Sequence, residues 1–85
     1  MKPLVTLTGG QLIWFVARGE TLRWALLHPY ADGSASIRSD EGFRTFAPPH
    51  GGRDALEALE EGGFVELDEA RALGGLPADV RPPAW

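Results

Sequence analysis

The chain's chemistry-bearing residues are few. It has two histidines, His28 and His50, and no cysteine. A disulfide framework, a thiolate zinc site and a cysteine nucleophile are therefore excluded together. The histidines could hold a transition metal with Asp32 or Asp54, or serve as general acid and base. Their spacing matches no compact metal signature, and both lie in turn-forming sequence. Ser34, Ser36 and Ser39 fall in a hairpin, not on a nucleophile elbow. The paired glycines (Gly9-Gly10, Gly51-Gly52, Gly62-Gly63, Gly74-Gly75) lack the lysine and hydroxyl of a phosphate-cradling loop. The expectation is a chain with no catalytic residue, no metal and no cofactor.

Charge is the more informative pattern. Net charge is −4. Residues 1–53 carry six basic and four acidic side chains, whereas residues 54–85 carry two basic and eight acidic ones. Between Asp54 and Ala70 there are seven carboxylates and no basic residue. Such a run is either a solvated face that keeps a small protein dispersed or a surface that docks on a basic partner. Glu57, Glu60, Glu61, Glu66, Asp68 and Glu69 are the electrostatic contacts of the second reading, with Trp14 or Trp85 as aromatic anchor. Arg18, Arg23, Arg38 and Arg44 are the contacts of a competing one, in which arginines and aromatics on a sheet bind nucleic acid. A strong basic excess usually marks such binders, and this chain is acidic, with a pI near 5.0.

The elements that must position these residues follow from pattern. At 85 residues and 44% apolar composition the chain is long enough for one thin-cored domain and too apolar for wholesale disorder. Residues 3–8 read as a short strand that starts at a proline. The dense stretch Gln11–His28 could wind as a helix, but Gly19 and Arg23 would interrupt its apolar stripe. A hairpin turning at Gly19-Glu20 fits better, because that pair suits a two-residue turn with glycine first. This register opposes Ala17 to Leu22, Phe15 to Trp24 and Ile13 to Leu26. It gathers those six on one face and Leu12, Trp14, Val16, Arg18, Thr21, Arg23, Ala25 and Leu27 on the other. The second face is apolar at its open end and needs a tail, a helix, a partner or a second copy to cover it. A homodimer would use Leu12, Trp14 and Leu27.

Ser34–Ser39 and Gly42–Ala47 form a second hairpin through Asp40-Glu41-Gly42. A three-residue turn opposes Arg38 to Arg44, and a shorter one pairs Ile37 with Phe46. Pro48 to Gly52 is a linker. Residues 53–61 form an amphipathic helix with Ala55, Leu56, Ala58 and Leu59 inward, stopped by Gly62-Gly63. Phe64–Leu67 is a short strand, and Asp68 caps a final helical turn ended by Gly74-Gly75.

The fold expected is α+β: a mainly antiparallel sheet of four or five strands, one amphipathic helix on one face and a short C-terminal helical turn. Residues 1–75 make the domain, and residues 76–85 an extended proline-rich tail. Core candidates are Val5, Leu7, Ile13, Phe15, Leu22, Trp24, Leu26, Phe46, Leu56, Leu59, Phe64 and Leu73. The apolar run LIWFVA is too short to span a bilayer, so a soluble, cytoplasmic protein is expected. Size and charge together suggest a non-enzymatic protein-binding module, of the kind phages and mobile elements use to inhibit a larger nucleic-acid-handling complex. A small nucleic-acid-binding protein and a structural or oligomeric subunit are the alternatives.

Overall fold

The computed structural model describes residues 12–74, 76–77 and 79–83. The proposed strand 3–8, with Val5 and Leu7, and the anchor Trp85 lie outside the described residues.

Two hairpins build most of the sheet. The first joins β1 (Ile13–Ala17) to β2 (Arg23–Pro29), and the second joins β3 (Ala35–Ser39) to β4 (Gly42–Phe46). The helix α1 (Gly51–Glu61) then leads to β5 (Val65–Glu66), which runs straight into α2 (Leu67–Ala72). The five strands are ordered β4-β3-β2-β1-β5, and every neighbouring pair is antiparallel. The α+β arrangement expected from the sequence is therefore present. Because β4 and β5 are the two sheet edges, α1 must cross the sheet face to connect them.

That crossing closes the first face. Gly51, Ala55 and Leu59 are buried at a four-residue spacing, which is one stripe of a helix. They pack on Ile13, Phe15, Ala17, Ala25, Leu27, Ala35 and Ile37, with Phe64 at the helix exit and Phe46 and Leu56 at the margin. Gly51 permits the close approach. A Cβ there would sit 2.5 Å from the Phe46 carbonyl oxygen and 2.8 Å from the Ser34 Cα. Gly33, at φ +92°, lies equally tight against Pro49. The helix begins two residues earlier than the charge pattern suggests, with His50 as its N-cap residue and no side-chain cap. At its other end Gly63 takes φ +81°, the left-handed conformation expected just past a helix end.

Four expectations are corrected. The first hairpin does not turn in two residues at Gly19-Glu20. Its loop runs from Arg18 to Leu22, and the closing pair is Ala17↔Arg23. Phe15 therefore faces Ala25 and Ile13 faces Leu27. A one-residue slip moves every side chain of β2 to the other face. Ala25 and Leu27 go under α1, while Trp24 and Leu26 face away and Leu22 is exposed in the loop. Small Ala25 leaves room for the helix, whereas Trp24 at that level would hold it off the sheet.

The second hairpin turns through Asp40-Glu41 alone, with Gly42 at φ +128°. Arg38 faces Phe43 and Ile37 faces Arg44, so neither the Arg38–Arg44 pair nor the Ile37–Phe46 pair forms. The two arginines take opposite faces, which removes the like-charge opposition. Leu73, a core candidate, is 75% exposed beyond the end of α2. Asp68 does not cap α2 either, since Glu66 occupies that position and Asp68 lies in the first turn.

Candidate functional site

Among the described residues the second sheet face is the less covered one. Cross-strand register aligns its residues in rows. Phe43, Arg38, Leu26 and Trp14 are successive neighbours across β4, β3, β2 and β1. Thr45, Ser36 and His28 form the next row, and Trp24, Val16 and Val65 a third toward the β5 edge. With strands about 4.8 Å apart, the first row spans roughly 14 Å.

α2 covers one end of this face. Val16, Leu67 and Ala70 are buried together, with Trp14, Trp24, Val65 and Leu76 packed around them. Trp14 and Trp24 meet edge to face, with ring centroids 6.1 Å apart. The Arg71 guanidinium donates to the Val80 carbonyl at 3.0 Å, and the Val80 N–H returns to the Pro77 carbonyl at 3.2 Å. The proline-rich segment thus turns back on α2 and does not run extended throughout, and its Leu76 helps cover the Trp14 side.

Beyond α2 the face is aromatic and cationic. Phe43 is 56% exposed, and the Arg38 guanidinium lies 5.8 Å from its ring centroid. His28 stacks on Tyr30 at 4.4 Å, and the Tyr30 hydroxyl shares a 3.0 Å hydrogen bond with buried Ser36. No strand residue of β1 to β5 that points to this side is a carboxylate. The adjoining turn is set by Asp32, which accepts from the Ser34 hydroxyl and from the Ser34 N–H at 2.9 Å. Those two bonds, the hydroxyl's first, hold the Asp32 carboxyl below its ordinary value.

The four arginines singled out from sequence do not come together. Arg38 alone lies on the second face. Arg23 and Arg44 lie on the α1 side, at a cleft of about 220 Å³ also lined by Ile37, Leu59 and Phe64. Arg23 there pairs with Glu41 at 2.7 Å and sits 5.3 Å from the Phe64 ring centroid, while Arg44 stacks 4.8 Å from that of Phe46. Arg18 is exposed in the first loop.

The carboxylates divide as well. Glu57, Glu60 and Glu61 are exposed on α1. Asp68 and Glu69 belong to α2, which packs on the opposite sheet face, and Glu66 is half-buried opposite Phe15. The proposed self-association face also changes. Leu12 is exposed and Trp14 half-buried, but Leu27 is fully enclosed under α1 and cannot join them.

No protein-family model, curated protein or solved structure matches this chain.

The histidines occupy separate places: His28 is on the second face, and His50 precedes α1 at a cleft with Tyr30, Ser34 and Arg53. Among the described residues no three His, Asp or Glu side chains are grouped to hold a metal ion. Among the same residues no helix is long and apolar enough to cross a membrane. Sequence reasoning missed Leu26 and Phe43 as surface residues. The usable signal was the alternation Phe43-Arg44-Thr45, which puts an aromatic and an arginine on opposite sides of one strand.

Proposed function

We propose that this chain is a non-enzymatic protein-binding module whose partner docks on the part of the second sheet face that α2 leaves bare. The observation that carries this reading is the row Phe43–Arg38–Leu26–Trp14, which ends on the exposed phenyl ring of Phe43 at the β4 edge. Aromatic and arginine side chains are the residue types that concentrate binding energy at protein interfaces. The partner that fits is apolar at its centre and anionic at the rim, where it would meet Arg38.

The test is a pull-down from the native host with the wild-type chain and with the double variant Phe43→Ser, Leu26→Thr. A specific protein captured by the first and lost by the second supports the reading. Equal capture by both places the contact elsewhere.

The acidic helix offers a second docking surface of opposite sign. Glu57, Glu60 and Glu61 stand on the far side of the sheet, where a basic protein surface of a nucleic-acid-handling complex would meet them, and occupation of that surface would inhibit the complex. Charge reversal at Glu57 and Glu60 weakens such binding and flattens its salt dependence. Unchanged affinity after both reversals removes the acidic-surface version.

A nucleic-acid reading is favoured by one observation, the absence of strand carboxylates from the face that holds Arg38, His28 and Trp24. Anisotropy titration with labelled oligo(dT) and oligo(U) at low salt decides it. Binding that Phe43→Ser abolishes would move the chain to that class.

A further inference from the structure

We infer that β4 is an acceptor edge, and that the partner contributes an extended acidic segment which pairs alongside it as a sixth strand. The inference rests on the protein-binding reading and specifies how the partner binds. Among the described residues the two sheet edges are unlike. β5 is two residues long and continues directly into α2. β4 is five residues long, and Gly42, Phe43, Arg44 and Thr45 are all exposed. It contains no proline and no lysine, and its one charged side chain is Arg44 on the α1 side.

The register says which groups are available. A two-residue turn makes Ser39↔Gly42 the closing hydrogen-bonded pair. Alternation along an antiparallel ladder then turns the N–H and C=O of Phe43 and Thr45 away from β3. These four groups are the template for an added strand.

The side chains say what that strand carries. Arg44 stands on the α1 side of β4 and Arg38 on the other, each resting on a phenyl ring. One of the turn's two carboxylates, Glu41, is already paired with Arg23. A carboxylate opposite Arg44 and a branched apolar residue opposite Phe43 or Thr45 complete both faces. A second copy of this chain fits less well. The antiparallel pairing that matches all of Gly42–Phe46 to itself opposes Arg44 to Arg44.

The test uses the whole chain and the peptide Ac-Glu-Val-Glu-Val-Glu-Val-NH2, with amide signals followed by NMR titration and hydrogen exchange. Expected are saturable shifts centred on β4, slowed exchange at Phe43 and Thr45, and roughly tenfold weaker binding after Thr45→Pro, which removes one outward N–H. Proline is tolerated where an edge strand's N–H points outward, and unchanged signals for β1 and β2 confirm the fold of that variant. A peptide N-methylated at alternate residues, on the side that faces β4, should not bind. The lysine counterpart Ac-Lys-Val-Lys-Val-Lys-Val-NH2 should bind more weakly. Binding that survives N-methylation and shifts Leu26 and Trp24 overturns strand addition while leaving the protein-binding reading intact. Equal binding of the lysine peptide overturns the acidic assignment. Absence of binding at millimolar peptide overturns the inference altogether, and the pull-down then judges the protein-binding reading separately.

Discussion

The two faces of this sheet are built from the same strands and finished differently. One is closed by the eleven-residue helix α1, and its residues from Ile13 to Leu59 form a continuous buried cluster. Among the described residues the other is closed at one end by the six-residue α2, and its apolar buried set is three residues with two half-covered tryptophans. Among the described residues apolar burial is therefore concentrated on the α1 side, and Leu26, Arg38 and Phe43 are the second-face residues whose burial is partial.

Neighbouring leucines on β2 separate the two faces most sharply. Leu27 is fully buried under α1, and Leu26 is half-buried on the other face. Leu27→Ala should lower unfolding free energy by about 2–5 kcal/mol, enough to unfold a domain of this size in part. Leu26→Ala should cost less than about 1.5 kcal/mol, because Leu26 is only partly buried and belongs to neither buried cluster. Urea denaturation followed by tryptophan fluorescence measures both. Equal losses would mean that the second face is as much a core as the first.

The next effect isolates the contact of α1 with the sheet. Gly51→Ala places a methyl group against the Phe46 carbonyl and the β3 backbone, neither of which can rotate away. The expected cost is roughly 1–3 kcal/mol, with α1 displaced from the start of β3. Gly52→Ala, one residue further along the same helix, separates this steric effect from helix propensity, which alone would make alanine favourable. A stabilised Gly51→Ala would show that the helix rides higher on the sheet than described.

A smaller effect tests the open side. Phe43→Ser should change stability by no more than about 0.5 kcal/mol, since the ring packs mainly on Arg38. A larger loss would make Phe43 part of the fold and weaken its reading as a contact residue.

How much of this was legible in the sequence depended on the range of the interaction that decides each feature. The strands, the helix after the Pro48-Pro49 linker and the α+β class follow from alternation, spacing and glycine punctuation, all local signals. The faces of β1 were legible for the same reason, since Ile13, Phe15 and Ala17 alternate with Trp14 and Val16. The faces of β2 were not. Gly19-Glu20 has the composition of a tight turn, yet the chain uses a longer loop, which puts Ala25 opposite Ser39 and Leu27 opposite Ile37 beneath α1. That choice is made by a helix distant in sequence, and no local rule contains it. In the second hairpin Gly42 is compatible with a bulged three-residue turn and with a shorter one; the two-residue turn forms, in a register that separates Arg38 from Arg44. The site depends on both registers. Charge composition located acidic and basic sets, but only the register reveals that each set is split between the faces.

The smallest effect probes the turn that seats the closed face. Asp32 fixes the turn before β3 by accepting from the Ser34 hydroxyl and N–H, and Gly33 in that turn touches Pro49 just ahead of α1. These bonds favour the ionised carboxylate, so its value in the folded chain lies below the ordinary one. The unfolded chain then binds the proton more readily. Asp32 therefore contributes stability that is fully present above the ordinary carboxylate range and is lost as pH falls through the lower folded value. The group is exposed, so the contribution is small and screened by salt. Asp32→Asn should leave stability near neutrality little changed and remove part of the decline measured by urea titration between about pH 5 and pH 3. Hydrogen exchange at the first turn of α1 gives the structural readout, because loosening this turn should reach α1 through Pro49 before it reaches α2. Faster exchange in α2 alone would show that the two faces are not held by separate supports, and would dissolve the contrast between them.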